Sequence, residues 1–208
     1  MLEIIKPMDI EKRSFEIITE LLGDTKIAPE NELVVKRVIH TSADFDYAQN
    51  LVFSEGAVAK GIAALRSGCD IVTDTQMARA GINKTILGKL GGEVHCFMSD
   101  PDVAAEARAR GITRAIVSME KAATLEKPCI FAIGNAPTAL IAIKELMEAG
   151  KLHPALIIGV PVGFVNVVES KEEIIEANLA PYIVARGRKG GSNVAAAICN
   201  AMLYQITR

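Results

Sequence analysis

Short apolar runs that alternate with helix-like segments limit the fold of this chain more than any other feature. The runs at residues 129–133, 155–160 and 182–185 are rich in β-branched and small apolar residues. Each is followed by a loop containing Gly, Pro or Arg and then by a segment with helical periodicity. Similar short strands are predicted at residues 69–73 and 93–97. This order predicts an α/β fold with a mostly parallel β-sheet flanked by helices on both faces.

Helices are predicted between these strands from apolar periodicity and from start and stop signals. Asp9 and Gly23 are the expected N-cap and stop of the first helix, and Pro101 is expected in the first turn of a later one. The predicted helices span residues 9–22, 54–67, 83–90, 101–110, 113–125, 137–149, 171–177 and 192–206. A chain of 208 residues with 50% hydrophobic residues can bury one large core, so we expect a single domain over residues 1–208.

A β-branched run at residues 34–39 predicts a strand that ends at His40. Thr41, Ser42 and several carboxylates follow it. An imidazole at the end of a parallel strand is well placed for acid–base chemistry near neutral pH. A histidine in this position could also cap or pack without any chemical role, and the local sequence leaves both readings open.

Five loops are predicted to follow strands directly, at residues 40–42, 74–75, 134–135, 163–164 and 186–192. In a parallel sheet such loops share one edge and can line one crevice. Helix N-terminal N–H groups at residues 135–137 and 190–192 are expected to point into it. With the cations at 186–189, they predict an anionic ligand. Each loop alone is also compatible with an ordinary turn, and residues 186–189 with a solvated basic bend.

Composition argues against several classes of function. With 23 basic and 25 acidic residues and no Trp, the chain has neither a basic field nor stacking platforms for nucleic acid. The apolar stretches at 129–143 and 155–168 are interrupted by Gly, Pro and Asn, so no membrane span is predicted. Residues 1–7 lack the features of a signal peptide, which leads us to expect a cytoplasmic protein.

Sequence motifs for common chemistries are missing. The four cysteines are widely spaced and suit buried thiols better than a disulfide framework or metal site. No nucleophile elbow, metal-ligand spacing, Walker loop or dinucleotide fingerprint is present. We therefore expect no metal site, and a reaction that depends on positioning and on one proton-handling group.

Four blocks of sequence carry a specific resemblance. They are residues 38–48, residues 134–140, residues 159–165 with Glu169, Ser170 and Lys171, and residues 186–192. Together they resemble the precorrin-8X methylmutase family, which includes the cobalt-precorrin-8 methylmutases of corrin ring synthesis. The resemblance extends over nearly the whole chain.

The resemblance implies an isomerase that moves a methyl group from C11 to C12 of the corrin macrocycle. The product would be hydrogenobyrinic acid or cob(II)yrinic acid, formed without a dissociable cofactor. His40 corresponds to the family's catalytic histidine, which is thought to protonate or hydrogen-bond a ring nitrogen. The resemblance also implies a homodimer or larger homo-oligomer with the site near the subunit interface. The implied substrate-binding residues are Arg13, Ser14, Thr41, Ser42, Thr75, Met77, Arg114, Asn135, Thr138, Gly163, Phe164, Arg186, Lys189, Gly190, Gly191 and Ser192.

Two other functions remain open. One is a binding module that sequesters a corrinoid without chemistry, and the other is an α/β enzyme acting on a phosphorylated small molecule through residues 186–192. The sequence does not decide whether the macrocycle carries cobalt, and we favour the cobalt-containing route.

Overall fold

The computed structural model describes residues 6–207, without the side chain of Met8. The predicted lack of a signal peptide concerns residues 1–7, of which residues 1–5 lie outside the described part.

The described residues form one six-stranded sheet with the order β1-β6-β5-β4-β2-β3. Strands β2 to β6 pair with one another in parallel, and β1 pairs with β6 in the antiparallel direction at one edge. The prediction of a mostly parallel sheet is therefore confirmed. The strands are β1 Leu51–Phe53, β2 Asp70–Thr73, β3 Val94–His95, β4 Cys129–Ile133, β5 Leu156–Gly159 and β6 Tyr182–Ala185.

Eleven α-helices connect and cover the strands in the described part of the chain. Short 3-10 turns at Pro7–Asp9 and Phe97–Ser99 precede α1 and α7. The helices are α1 Ile10–Leu22, α2 Glu32–Ser42, α3 Tyr47–Asn50, α4 Ala57–Arg66, α5 Gln76–Gly81, α6 Lys84–Lys89, α7 Pro101–Arg110, α8 Arg114–Ala122, α9 Pro137–Glu148, α10 Val167–Ala177 and α11 Ser192–Thr207.

Alternate residues of the central strands pack into two separate hydrophobic clusters. In β4, Ile130 contacts the cluster that includes α2, α4 and α11, whereas Phe131 contacts the cluster that includes α8, α9 and α10. This alternation follows from the pleat of a strand. Helices therefore cover both faces of the sheet, as predicted, and α11 is largely buried.

The predicted strand at residues 34–39 is wrong. These residues lie in α2, which packs against α11. Val34, Val35, Val38 and Ile39 are buried, and their spacing places them on one helical face. Packing of that face overrides the strand preference of β-branched side chains. His40 consequently lies in the last turn of a helix and not at the end of a strand.

Smaller differences occur at other boundaries. The strand β1 was not predicted, and α4 begins at Ala57 because Gly56 adopts a left-handed conformation with φ 65°. Ser54, the first residue of the helix predicted at 54–67, lies outside α4, and its hydroxyl accepts a hydrogen bond from the N–H of Tyr182. The helix predicted at residues 171–177 begins earlier, at Val167, and the predicted strand at 93–97 is reduced to Val94–His95.

The four cysteines are buried and form no disulfide, in agreement with their predicted role in packing. Burial raises the pKa of Cys69 to about 12 and that of Cys129 to about 11. Both side chains are therefore neutral thiols at neutral pH.

Candidate active site at the carboxyl edge of the sheet

Four of the predicted loops follow parallel strands and meet at the carboxyl edge of the sheet. They follow β2, β4, β5 and β6, which are neighbours in the sheet. The segment after α2 reaches the same edge by a different route, because the Lys189 ammonium lies 2.6 Å from a carboxylate oxygen of Asp44 and 2.7 Å from one of Asp46. The end of α2 is therefore placed beside the loops, although no strand leads to it.

Asp74 holds the loop after β4. Its side chain is 1% exposed and accepts hydrogen bonds from the N–H groups of Gly134, Asn135 and Ala136 at 2.9, 2.8 and 2.6 Å. Burial raises the pKa of the Asp74 carboxyl, and the N–H donors act in the opposite direction. The prediction that the N–H groups of this loop are free to bind a ligand is therefore wrong, because they donate to the side chain of Asp74.

The loops after β2, β4 and β6 contact one another directly. The hydroxyls of Thr75 and Ser192 lie 2.7 Å apart, and Thr75 also caps α5 by accepting from the N–H of Ala78. A Cβ on Gly134 would lie 2.7 Å from the Cα of Ser192, so only glycine allows this approach.

The loop after β6 packs closely on the loop after β5. A Cβ on Gly190 would lie 2.1 Å from the carbonyl oxygen of Val160. The N–H of Gly191 donates to that same oxygen at 2.8 Å. The prediction that this N–H is free to bind a ligand is therefore wrong. The N–H of Gly163 donates to the carbonyl of Arg188 at 3.2 Å.

The predicted cations lie in this loop, and each has a partner within the protein. Arg186 pairs with Glu172 at 3.1 Å, and Lys189 pairs with Asp44 and Asp46. Lys189 lowers the pKa of Asp44 through its hydrogen bond. Because exposed ion pairs are weak, an incoming carboxylate can exchange with them at little cost.

His40 is exposed in the last turn of α2. Its ring centroid lies 5.5 Å from that of Phe15 in α1, with the rings tilted by 34°. Thr41 is also exposed, whereas the Ser42 hydroxyl donates to the carbonyl of Val38 and accepts from the N–H of Asp44. The imidazole is therefore open to solvent and supported on one side by an aromatic ring.

Two predicted residues of α1 are engaged within their own helix. Arg13 lies 3.6 Å from Glu16 and 3.5 Å from Glu20, and the Ser14 hydroxyl donates to the carbonyl of Ile10. Both residues therefore take part in contacts along α1.

A cavity of about 860 Å³ lies among α1, α2 and α11, and it contains none of the predicted site residues. Arg37 lies across its wall, 4.7 Å from the Phe15 ring and 5.1 Å from the Tyr204 ring. Its lining consists of Pro7, Glu11, Lys12, Phe15, Leu33, Arg37, Ala201, Tyr204 and Gln205.

The other predicted residues extend the edge outward. Met77 and Phe164 are 71% and 81% exposed, and the Arg188 guanidinium lies 5.4 Å from the Phe164 ring. The hydroxyl of Thr138 lies 3.0 Å from that of Thr113. Thr113 directly precedes Arg114, the first residue of α8. The side chains of Met77 and Phe164 thus leave apolar area open to solvent at the edge.

Asp74 and Lys171 are buried at this edge, and neither was predicted as a site residue. Lys171 is 0% exposed and donates to the carbonyls of Gly187 and Lys189 at 2.8 and 2.9 Å. Asp74 directly follows an apolar run, which is a usable signal in the sequence. Lys171 lies in a charged stretch of helix, where exposure is the usual outcome.

Comparison with known proteins identifies the family of this chain. The family model of precorrin-8X methylmutase matches residues 9–205. The chain belongs to the precorrin-8X methylmutase family.

Named relatives of this methylmutase family cover nearly the whole chain. The cobalt-precorrin-8 methylmutase of Priestia megaterium is 47% identical over 95% of this chain and 88% of its own length. The precorrin-8X methylmutase of Pseudomonas aeruginosa is 39% identical over 93% of each. The crystal structure of a precorrin-8X methylmutase from Thermus thermophilus superposes with a TM-score of 0.87 at 38% identity, covering 96% of this chain and 98% of that one.

The described residues contain neither a group of metal ligands nor a membrane-spanning helix. Across residues 6–207 no three His, Cys, Asp or Glu side chains are grouped so that they could hold a metal ion. Over the same residues no helix is both long and apolar enough to cross a bilayer.

Proposed function

We propose that the chain moves a methyl group from C11 to C12 of cobalt-precorrin-8 or precorrin-8X. The product is cob(II)yrinic acid or hydrogenobyrinic acid. The family match over residues 9–205 carries this proposal, and relatives named as methylmutases support it across nearly the full length of the chain.

The proposed reaction needs no second substrate. The C11–methyl bond breaks while the C12–methyl bond forms on the same face of the macrocycle. C11 becomes trigonal and joins the conjugated system, and C12 becomes tetrahedral and leaves it. His40 donates a hydrogen bond or a proton to a ring nitrogen near the migrating group, which makes the ring more electron-poor, and it recovers the proton afterwards. Imidazole is suited to this because it exchanges protons near neutral pH.

The carboxyl edge supplies the binding surface for a flat polyanion in this proposal. The acetate and propionate groups of the macrocycle exchange with the carboxylates that now pair with Lys189 and Arg186. Thr75, Asn135 and Ser192 donate further hydrogen bonds. Phe164 and Met77 offer exposed apolar area to the faces of the ring. Rigid orientation and exclusion of water then supply the rest of the rate enhancement.

Cobalt-precorrin-8 is the preferred substrate in this proposal. Relatives named cobalt-precorrin-8 methylmutase reach 47% identity, compared with 39% for a relative named precorrin-8X methylmutase. The cobalt belongs to the substrate, so the protein does not have to ligate it.

The proposal includes a homodimer or larger assembly with the site near the subunit interface. Val165, beside Phe164, is also strongly exposed at the edge, so apolar area remains there for a second subunit. Sedimentation velocity of the purified chain tests this, and a monomer at micromolar concentration would contradict it. Location in the cytoplasm stays a prediction.

The role of His40 is tested by comparing His40→Ala with His153→Ala. His153 is an exposed histidine in the loop before β5, at the opposite edge of the sheet, which makes it a matched control. Under single-turnover conditions we expect His40→Ala to lose about 10²-fold or more of the rate while still binding the substrate. His153→Ala should keep the parent rate. Parent-rate conversion by His40→Ala would remove the imidazole from the mechanism.

A further inference from the structure

Lys171 is a fully buried cation that the proposed mechanism does not use. A lysine is rarely buried unless it is paired with an anion. Its ammonium donates instead to two carbonyl oxygens, those of Gly187 and Lys189, at 2.8 and 2.9 Å. The adjacent carboxylate of Glu172 is engaged by Arg186 at 3.1 Å. Within the described residues no carboxylate lies within ion-pair distance of Lys171.

The acceptors of Lys171 lie in the loop of residues 186–191, which contains three glycines. Gly187 and Gly191 adopt positive φ angles of 76° and 134°, and Gly190 is pressed against the carbonyl of Val160. Turning the carbonyls of Gly187 and Lys189 towards a buried ammonium fixes the loop from its inner side. The Lys189 side chain remains about half exposed on the outer side.

Lys189 links the fixed loop to the end of α2. Its ammonium lies between Asp44 and Asp46, and the Asp44 side chain accepts from the N–H of Asp46 at 3.0 Å. The N–H of Asp44 in turn donates to the Ser42 hydroxyl, in the last turn of α2. A continuous path of hydrogen bonds and ion pairs therefore runs from Lys171 to the turn that carries His40.

We infer that Lys171 is a positioning residue, which holds the loop of residues 186–191 so that Lys189 stands at the carboxyl edge to meet the substrate carboxylates and the segment after α2. The expected effect of Lys171 on catalysis rests on the proposed function, whereas its expected effect on the backbone of this loop does not.

The variant Lys171→Met keeps the length and apolar body of the side chain and removes its donors. Replacement of a buried charge by an apolar residue of similar volume is commonly tolerated. Lys144→Met is the matched control. Lys144 lies on α9 and pairs with Glu173 of α10, the helix that carries Lys171, and it makes no hydrogen bond or ion pair with residues 186–191 in the described part of the chain. If Lys171→Met does not fold, Lys171→Gln, which keeps a shorter N–H donor, takes its place with a smaller expected effect.

Backbone hydrogen–deuterium exchange measures the loop without reference to activity. We expect exchange in residues 186–192 to become about 10-fold faster or more in Lys171→Met and to stay unchanged in Lys144→Met. Unchanged exchange in Lys171→Met would overturn the inference. This arm is decisive even if the wild-type chain converts no corrinoid.

Kinetics with cobalt-precorrin-8 separate positioning from general destabilisation. Contacts with a substrate carboxylate act equally in the ground and transition states, so we expect KM to rise about 10-fold with a much smaller change in kcat. In a Lys189→Met background, Lys171→Met should add little further increase, because Lys171 acts through Lys189. Fully additive effects, or a fall in kcat alone, would show that Lys171 does not act by this path.

Discussion

At the scale of single residues, two buried charges hold the loops of the candidate site through backbone groups. Asp74 accepts from three N–H groups after β4, and Lys171 donates to two carbonyls after β6. A buried charge is tolerated only where such hydrogen bonds offset the loss of hydration. Both side chains therefore restrict the motion of loops whose glycine residues would otherwise allow the backbone many conformations.

The burial of Lys171 leads us to predict that the free energy of unfolding depends on pH in a specific way. Burial lowers the pKa of Lys171 to about 8 in the folded protein, below the value of an unfolded lysine near 10.4. Between these values the unfolded state binds more protons, so the free energy of unfolding rises with pH across that window. The penalty for burying the ammonium is present in full below about pH 8 and is relieved above it.

Urea denaturation of the wild type and of Lys171→Met measures this effect, because other titrating groups cancel in the difference. We expect the stability of the wild type relative to the variant to increase by about 2–3 kcal/mol between about pH 7 and about pH 10.5. An equal difference at both pH values would show that the folded pKa of Lys171 is not depressed.

The burial of these two residues differs in how far it could be predicted from the sequence. Asp74 directly follows the predicted strand at residues 69–73, so its place at the edge is readable. Its three N–H partners lie about sixty residues away, at Gly134, Asn135 and Ala136, and no local pattern reveals them. Lys171 is surrounded by carboxylates in the sequence, a pattern typical of a solvated helix face.

At the scale of elements, tertiary packing decided the largest difference between prediction and structure. Residues 34–39 have the composition of a strand, yet their buried positions repeat with helical spacing against α11. The strands β4 and β6 match their predicted bounds because each is a short run buried on both faces. The strand β1 has only three residues at the sheet edge, too few to give a periodic signal.

Close packing between loops gives a prediction for Gly190. A Cβ there would lie 2.1 Å from a backbone oxygen of Val160, which cannot move without disturbing the end of β5. We expect Gly190→Ala to lower the free energy of unfolding by about 3 kcal/mol or more.

Gly88→Ala is the matched control, since a Cβ on Gly88 in α6 would meet nothing within 4 Å. Alanine is the better helix former, so this change should raise the stability by up to about 1 kcal/mol. Thermal and urea unfolding of both variants test the pair. Wild-type stability in Gly190→Ala would mean that the two loops are not in close contact.

At the scale of the whole molecule, the parallel sheet gathers distant loops at one edge, and this placement could be predicted from the sequence. The resemblance of four sequence blocks indicated the family, and the match over residues 9–205 confirms it. The hydrogen-bond and ion-pair partners of the groups at this edge could not be predicted. Its loop N–H groups and cations are already satisfied by Asp74, Val160, Asp44 and Asp46, through contacts that exist only in the folded chain.

These satisfied contacts alter the expected mode of binding. In the proposed binding mode, we expect a substrate carboxylate to exchange with the carboxylates that pair with Lys189 and Arg186 and not to enter a set of free donors. Such exchange favours a ligand with several carboxylates, because one anchored group raises the effective concentration of the next.

The most direct measurement is the ultraviolet–visible spectrum of the purified wild-type chain mixed separately with cobalt-precorrin-8 and with precorrin-8X, without any added cofactor. We predict that the spectrum of cobalt-precorrin-8 is replaced by that of cob(II)yrinic acid, and that this conversion is faster than the conversion of precorrin-8X. A corrinoid that binds but keeps its own spectrum, or that does not bind at all, would contradict the proposed methylmutase activity.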